Sequence, residues 1–242
     1  MVRTKKPSNS PSKGLGSEEI EHHLSKSRSI WRSLDSLNEG GEHLMPKLAV
    51  FDLDYTLWPA WVDTHVDPPL KRKGEAINTV VDSNLQSLRF YPHVPAILFY
   101  LKRNKIEIAA ASRTCAPNVA RQALNGLVLV DENHYRSSEG DDGKGEEERI
   151  KLVKSISLFD YQEIYPGSKI AHFKQIQKDS GVEYEDMIFF DDESRNAEVS
   201  TKLGVHFVQI GASGTDLSTF EKGIKSWRSK KLSKIQSRRD LE

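Results

Sequence analysis

The 242-residue chain contains one cysteine, Cys115, so it cannot close an internal disulfide, and no Cys/His cluster has the spacing of a zinc site. That excludes a disulfide-stapled secreted fold and a structural zinc. Lys and Arg number 35 and so do Asp and Glu, which leaves no global field to concentrate nucleic acid or an anionic membrane surface. No run approaches the roughly 20 apolar residues needed to span a bilayer, and the N-terminus lacks an apolar signal-peptide core. The reading is a soluble protein with neither nucleic acid nor membrane as partner. Its expected location is the cytoplasm, with the nucleus as the alternative. The first 16 residues carry four basic and no acidic side chains, as a transit peptide would, but EEIEHH follows at once and breaks the acid-poor pattern. No internal repeat is present.

Residues 1–44 are rich in Ser, Lys, Glu and Gly with a lone Trp31, a composition expected to stay disordered because it buries too little apolar surface to offset chain entropy. On that reading, removing it leaves the domain intact. A second polar segment, SSEGDDGKGEEER at 137–149, holds six acids and three glycines and reads as the centre of an acidic loop inserted at about 133–155. Between Lys222 and Arg239 lie eight Lys/Arg with Ile224, Trp227 and Leu232 among them, so a final solvated helix running into a basic tail over 226–242 is expected. The organisation predicted is one domain over 45–225 with tails on either side.

Within that domain, short and nearly continuous apolar runs at 47–53, 106–112, 187–191 and 205–210 read as strands buried on both faces. Helix-like segments fall at 94–104, 117–125, 168–180, 194–203 and 216–228, several beginning beside Ser, Pro or Asp. Alternation of the two predicts an α/β fold, a parallel sheet covered by helices on both faces.

Three of these strands end in chosen polar residues, and ligands bind at the carboxyl ends of strands in an open parallel sheet. The first end reads Phe51-Asp52-Leu53-Asp54-Tyr55-Thr56; strand alternation points Asp52 and Asp54 the same way, and two like charges need a cation or proton between them. At the second end Ser112, Arg113 and Thr114 precede a helix and make an anion receptor. The third end is Phe190-Asp191-Asp192-Glu193, and between the last two lies Pro166-Gly167-Ser168-Lys169, a turn that sets a lysine at a helix start. Together they describe a site for Mg2+, a phosphate and a nucleophilic carboxylate. A rival phosphatase chemistry, the Cys-x5-Arg spacing of Cys115 to Arg121, has no glycine in its loop, and Pro117 removes a backbone donor. His65, His93, His172 and His206 lie at no ligand spacing.

FDLDYT, ASRT, the Lys169 segment and FFDDE resemble the four motifs of the haloacid dehalogenase superfamily of aspartate-nucleophile phosphatases. DLDYTLWP, YPHVPAILFYLK, YQEIYPGSK and MIFFDDESRN resemble the magnesium-dependent phosphatase 1 family within it, over about residues 45–225. That resemblance implies a Rossmann-like three-layer sandwich, essentially capless, and a Mg2+-dependent phosphomonoesterase acting through an aspartyl phosphate. Its substrates would be phosphotyrosine-type or small sugar phosphates, presented as small molecules or as a phosphoprotein. It makes Asp52 the nucleophile and Asp54 the general acid and base. It gives Mg2+ to Asp52, Asp192 and the main-chain carbonyl of Asp54, with Asp191 in support. Substrate binding falls to Leu53, Trp61, Ser112, Arg113 and Lys169. Two other readings stand beside this one: a non-catalytic scaffold of the same fold whose basic C-terminus binds an acidic partner, and a phosphosugar or nucleotide phosphatase of another branch, for which the stretch between the first two motifs is short for a cap.

Overall fold

The computed structural model describes residues 15–37, 44–138 and 150–240. Three apolar runs form the centre of a five-stranded sheet: β1 (Leu48–Phe51), β5 (Glu107–Ser112) and β9 (Met187–Asp191), flanked by β8 (Tyr161–Ile164) and β10 (His206–Gln209). The order is β10-β9-β1-β5-β8 and every pairing is parallel. Phe51 stands opposite Ala110 on one side and Phe190 on the other, so the polar residues that follow all emerge at one edge. The ladder continues one step further, with Asp52 N–H donating to the Phe190 carbonyl at 2.9 Å.

Alternate residues of each strand supply two cores. Leu48, Val50, Met187 and Phe189 pack with Phe173 and Ile176 of α5 (Lys169–Ser180) and Val199 of α6 (Glu198–Leu203). Ala49, Phe51, Ile188 and Phe190 face the larger core under α2 (Val94–Arg103), α3 (Pro117–Gly126) and α7 (Leu217–Arg239). Phe51 stacks on Phe190 at 5.0 Å and Phe190 on Phe220 at 5.6 Å. At Gly223 an added Cβ would stand 3.1 Å from the Phe190 ring, so glycine is what lets α7 lie this close to the sheet. Helices on both faces of a parallel sheet are the Rossmann-like three-layer arrangement. Between β1 and α2 the chain makes only a three-stranded antiparallel ribbon of β2 (Lys71–Arg72), β3 (Val80–Val81) and β4 (Ser87–Leu88). No helical cap stands there.

Three boundaries differ from the sequence reading. Within the segment expected to be a disordered tail, Leu15–Ser36 forms α1, and Leu24, Ile30, Trp31, Leu34 and Leu37 are buried. Leu24, the buried Ser27, Trp31 and Leu34 recur every three or four residues and so share one helical face, which outweighs a polar average composition. Trp31 Nε1 donates to Glu132, a carboxylate only 1% exposed that also accepts from Ser27 at 2.8 Å and pairs with His23 at 3.1 Å. The guanidinium groups of Arg103 and Arg136 lie over the Trp31 ring at 4.2 and 4.5 Å.

The acidic loop is shorter than expected: α4 (Glu132–Ser138) precedes it, and β7 (Leu152–Lys154) returns from it to pair with β6 (Val128–Val130). Its centre, 139–149, lies outside the described residues. Last, α7 runs through the expected basic tail to Arg239, with Trp227 buried. Lys231, Lys234 and Arg238 reach Glu185 at 3.0, 3.3 and 3.4 Å. No helix among the described residues is long and apolar enough to cross a membrane.

Candidate active site

After Phe51 the chain leaves the strand and turns sharply. The Leu53 carbonyl accepts from Thr56, Leu57 and Trp58 N–H, and Tyr55 takes a left-handed φ of 52°. This turn, rather than strand alternation, places both aspartates on the same cavity. Asp52, Asp54, Trp61, Ser112, Arg113, Lys169 and Asp192 all line that cavity, of about 280 Å3, and they come from the ends of β1, β5 and β9, the loop that follows β1 and the start of α5. Leu53 does not line it: its side chain is fully buried in the core.

Lys169 is positioned by the cap of its own helix, where Ser168 Oγ accepts from Ile170 N–H at 3.1 Å. Its ammonium is completely buried, 2.6 Å from Asp52 Oδ1 and 2.9 Å from Asp191 Oδ2, and donates as well to the Ala111 carbonyl. Burial alone would lower the lysine, but Asp52 and Asp191 outweigh it and hold it charged. Burial likewise presses the Asp52 carboxyl upward, opposed by that ammonium.

Asp191 is saturated with donors. Oδ1 accepts from Glu193 N–H at 2.8 Å and Asn196 Nδ2 at 3.0 Å, and Oδ2 from Asn196 at 2.9 Å and Lys169. Its neighbour Asp192 turns into the cavity instead, and burial followed by the Asp191 charge raises it to about 6. Asp54 accepts from Trp58 Nε1 at 2.7 Å and Val62 N–H at 3.3 Å; burial outweighs both and raises it to about 6.

Asp52, Asp191 and Asp192 bring one carboxylate oxygen each within 4.8 Å of one another. Hard oxygens clustered this way, with the Asp52 and Asp192 carboxyls driven up by burial despite the Lys169 ammonium, suit a divalent cation of the Mg2+ type.

On the β5 side, Arg113 Nη1 donates to Asn196 Oδ1 at 3.2 Å, and Thr114 Oγ1 accepts from Ala116 N–H at 3.2 Å in the turn that leads into α3. Asn196 therefore ties Arg113 to Asp191 with its two ends, a link the sequence reading missed. Only its position five residues after Asp191, on the next short turn of helix, could have drawn notice.

Cys115 is exposed and donates to Asp63 at 3.1 Å; that hydrogen bond raises the thiol, the wrong direction for a nucleophile. None of the four histidines lines the cavity: His93 Nδ1 accepts from Leu217 N–H at 3.0 Å, and His172 Nε2 is 3.1 Å from the Tyr165 carbonyl. A second cavity, of about 290 Å3 between α1 and α4, is lined by Asp35 and Glu132, both already held by ion pairs and hydrogen bonds, and offers no free acidic cluster.

A family model described as acid phosphatase matches residues 44–230. The chain is 42% identical over 165 residues to a HAD-like hydrolase superfamily protein of Schizosaccharomyces pombe, covering 68% of this chain and 85% of that protein. It is 39% identical over 193 residues to magnesium-dependent phosphatase 1 of Homo sapiens, covering 80% of this chain and 93% of the relative.

Proposed function

The chain belongs to the acid phosphatase family and, within the haloacid dehalogenase superfamily, to the magnesium-dependent phosphatase 1 family, and from that premise we propose how this phosphatase works. It hydrolyses phosphomonoesters in two steps through an aspartyl phosphate on Asp52, with Mg2+ as cofactor, and its substrates are phosphotyrosine-type or small sugar phosphates.

The observation that carries this reading is the Lys169 ammonium. It holds Asp52 by one oxygen, at 2.6 Å, in a cavity that also receives Asp54, Ser112 and Arg113. An oxygen of Asp52 attacks phosphorus, the ester P–O bond breaks, and Asp54 gives its proton to the departing oxygen. In the second step Asp54 takes a proton from water, whose oxygen displaces Asp52 and releases phosphate. Ser112 and Arg113 hold the phosphoryl oxygens, and Lys169 offsets charge between carboxylate and phosphate. Asp192, the carboxylate that faces the cavity, would hold Mg2+ with Asp52 and the Asp54 carbonyl, while Asp191, already saturated by Asn196, Lys169 and Glu193, supports them. The cation supplies Lewis-acid stabilisation of the phosphoryl oxygens.

The test is hydrolysis of para-nitrophenyl phosphate. EDTA should abolish it, added Mg2+ should restore it, and Ca2+, with longer and looser coordination, should substitute poorly. Full activity in EDTA would overturn the metal assignment, and no activity under any metal would favour a scaffold.

A further inference from the structure

Trp61 is the one aromatic side chain on the active-site cavity among the described residues, and at 47% exposed it presents a large indole to solvent. Its ring does not hang free. His65 stacks against it with centroids 5.4 Å apart and planes 21° from parallel, and Tyr55 meets it edge-on at 5.2 Å. The backbone is gripped as well: His65 N–H donates to the Trp61 carbonyl at 2.8 Å, and Trp61 N–H donates back to His65 Nδ1 at 3.1 Å. Two residues four apart are thus locked by a reciprocal pair of hydrogen bonds and a ring stack, on a loop that otherwise has no regular structure. Tyr55, fixed in its left-handed turn beside Asp54, stands edge-on to His65 also, at 6.3 Å.

A site that recognised phosphate alone would gain nothing from an indole held in one orientation at its rim. We propose that His65 is a specificity-determining positioning residue, which fixes Trp61 as a wall for leaving groups that carry a planar ring. The inference rests on the phosphatase reading above and narrows its substrate class to ring-bearing phosphate esters over compact alkyl ones. His65 acts through Trp61 and touches neither phosphorus nor the cation. Because the ring is exposed, replacing it leaves the cores of the domain untouched.

The experiment compares phenyl phosphate with glycerol phosphate on the full chain in Mg2+, with the inhibition constant of inorganic phosphate as internal reference. His65→Ala should raise KM for the phenyl ester roughly two- to tenfold, the span expected for losing one aromatic pair, with kcat little changed. KM for glycerol phosphate and phosphate inhibition should move less than about twofold. His65→Phe, which keeps a stacking ring and loses only the acceptor, should recover most of the phenyl preference. Trp61→Ala should lose the same preference, and the His65→Ala change added to it should cost nothing more, because the two residues act as one. Equal losses on both esters, or additive losses in the double variant, would overturn the assignment. A wild-type chain that hydrolysed neither ester would overturn the phosphatase reading itself, and this inference with it.

Discussion

Asp52 and Asp54 lie two positions apart on one turn, yet the proposed mechanism gives them different work, and their partners differ: Asp52 is clasped by Lys169, while Asp54 leans on Trp58 and Val62 N–H. Asp52→Asn removes the attacking oxygen and should be inactive on every ester. Asp54→Asn keeps its carbonyl and loses only the transferable proton, a factor of about 10² to 10⁴ that matters least when the leaving group needs no proton. Rapid-quench phosphorylation should therefore show the Asp54 variant relatively faster with para-nitrophenyl than with glycerol phosphate. Equal losses on both would refute the division of roles. His172 makes a second prediction. It is fully buried, its Nδ1 has no hydrogen-bond partner among the described residues, and burial followed by the Lys169 charge lowers it from 6.5 to about 4. The unfolded chain takes up that proton first, so the stability at stake is complete above pH 6.5 and is lost as pH falls toward 4. Asp54 and Asp192, raised in the fold, pull the opposite way, so the difference between chains is the readout. Tm of the His172→Gln protein should fall less steeply over that interval than wild type; parallel curves would sink the argument.

Among the elements, α1 makes the sharpest prediction, since the fold uses it where composition alone argued for a free tail. Trp31→Ala empties a buried site and takes the indole donor from Glu132 Oε2, and should cost about 3–5 kcal/mol by denaturant unfolding. Trp31→Phe loses chiefly the N–H donor and should cost about 1–3 kcal/mol. Because α1 lines no part of the active-site cavity, kcat on an aryl phosphate should hold in both wherever they remain folded. An unchanged unfolding midpoint in both would mean the helix does not dock. Which elements were legible follows from what burial demands. Strands β1, β5 and β9 have neighbours on both sides and helices on both faces, so their sequences had to be continuous apolar runs, and their ends gave away Asp52, Ser112 and Asp191. Strand β8, the sheet's edge, is only half-buried and reads YQEI, which no run marks. Helix α1 was hidden in a Ser- and Glu-rich average that conceals a regular apolar stripe. Asn196 escaped because its value lies in joining Arg113 to Asp191, a pairing that exists only after β5 and β9 are brought to the same edge.

For the molecule as a whole, the acidic cluster couples cation binding to stability. Oxygens of Asp52, Asp191 and Asp192 gather within 4.8 Å only in the folded chain, so Mg2+ at a hundredfold its dissociation constant should add about 2.7 kcal/mol to unfolding. Thermal scans with and without EDTA would show it, and a Tm indifferent to Mg2+ would contradict the cluster as a cation site. The sheet's register has a further consequence, for descent rather than for energy. Phe51, Ala110 and Phe190 stand in line, so the reactive groups lie just beyond that line, at one edge of the sheet. Turns at the opposite edge, such as Gly204 before β10 or Gly181 before β9, carry none of them. A codon gained or lost there lengthens a turn and leaves the reaction centre where it was. The same change inside Val50-Phe51 or Phe189-Phe190 reverses which core each side chain enters and swings an aspartate away from Lys169. Lineages carrying this sheet are free to drift in loop length along one rim and are held to the exact residue count along its strands.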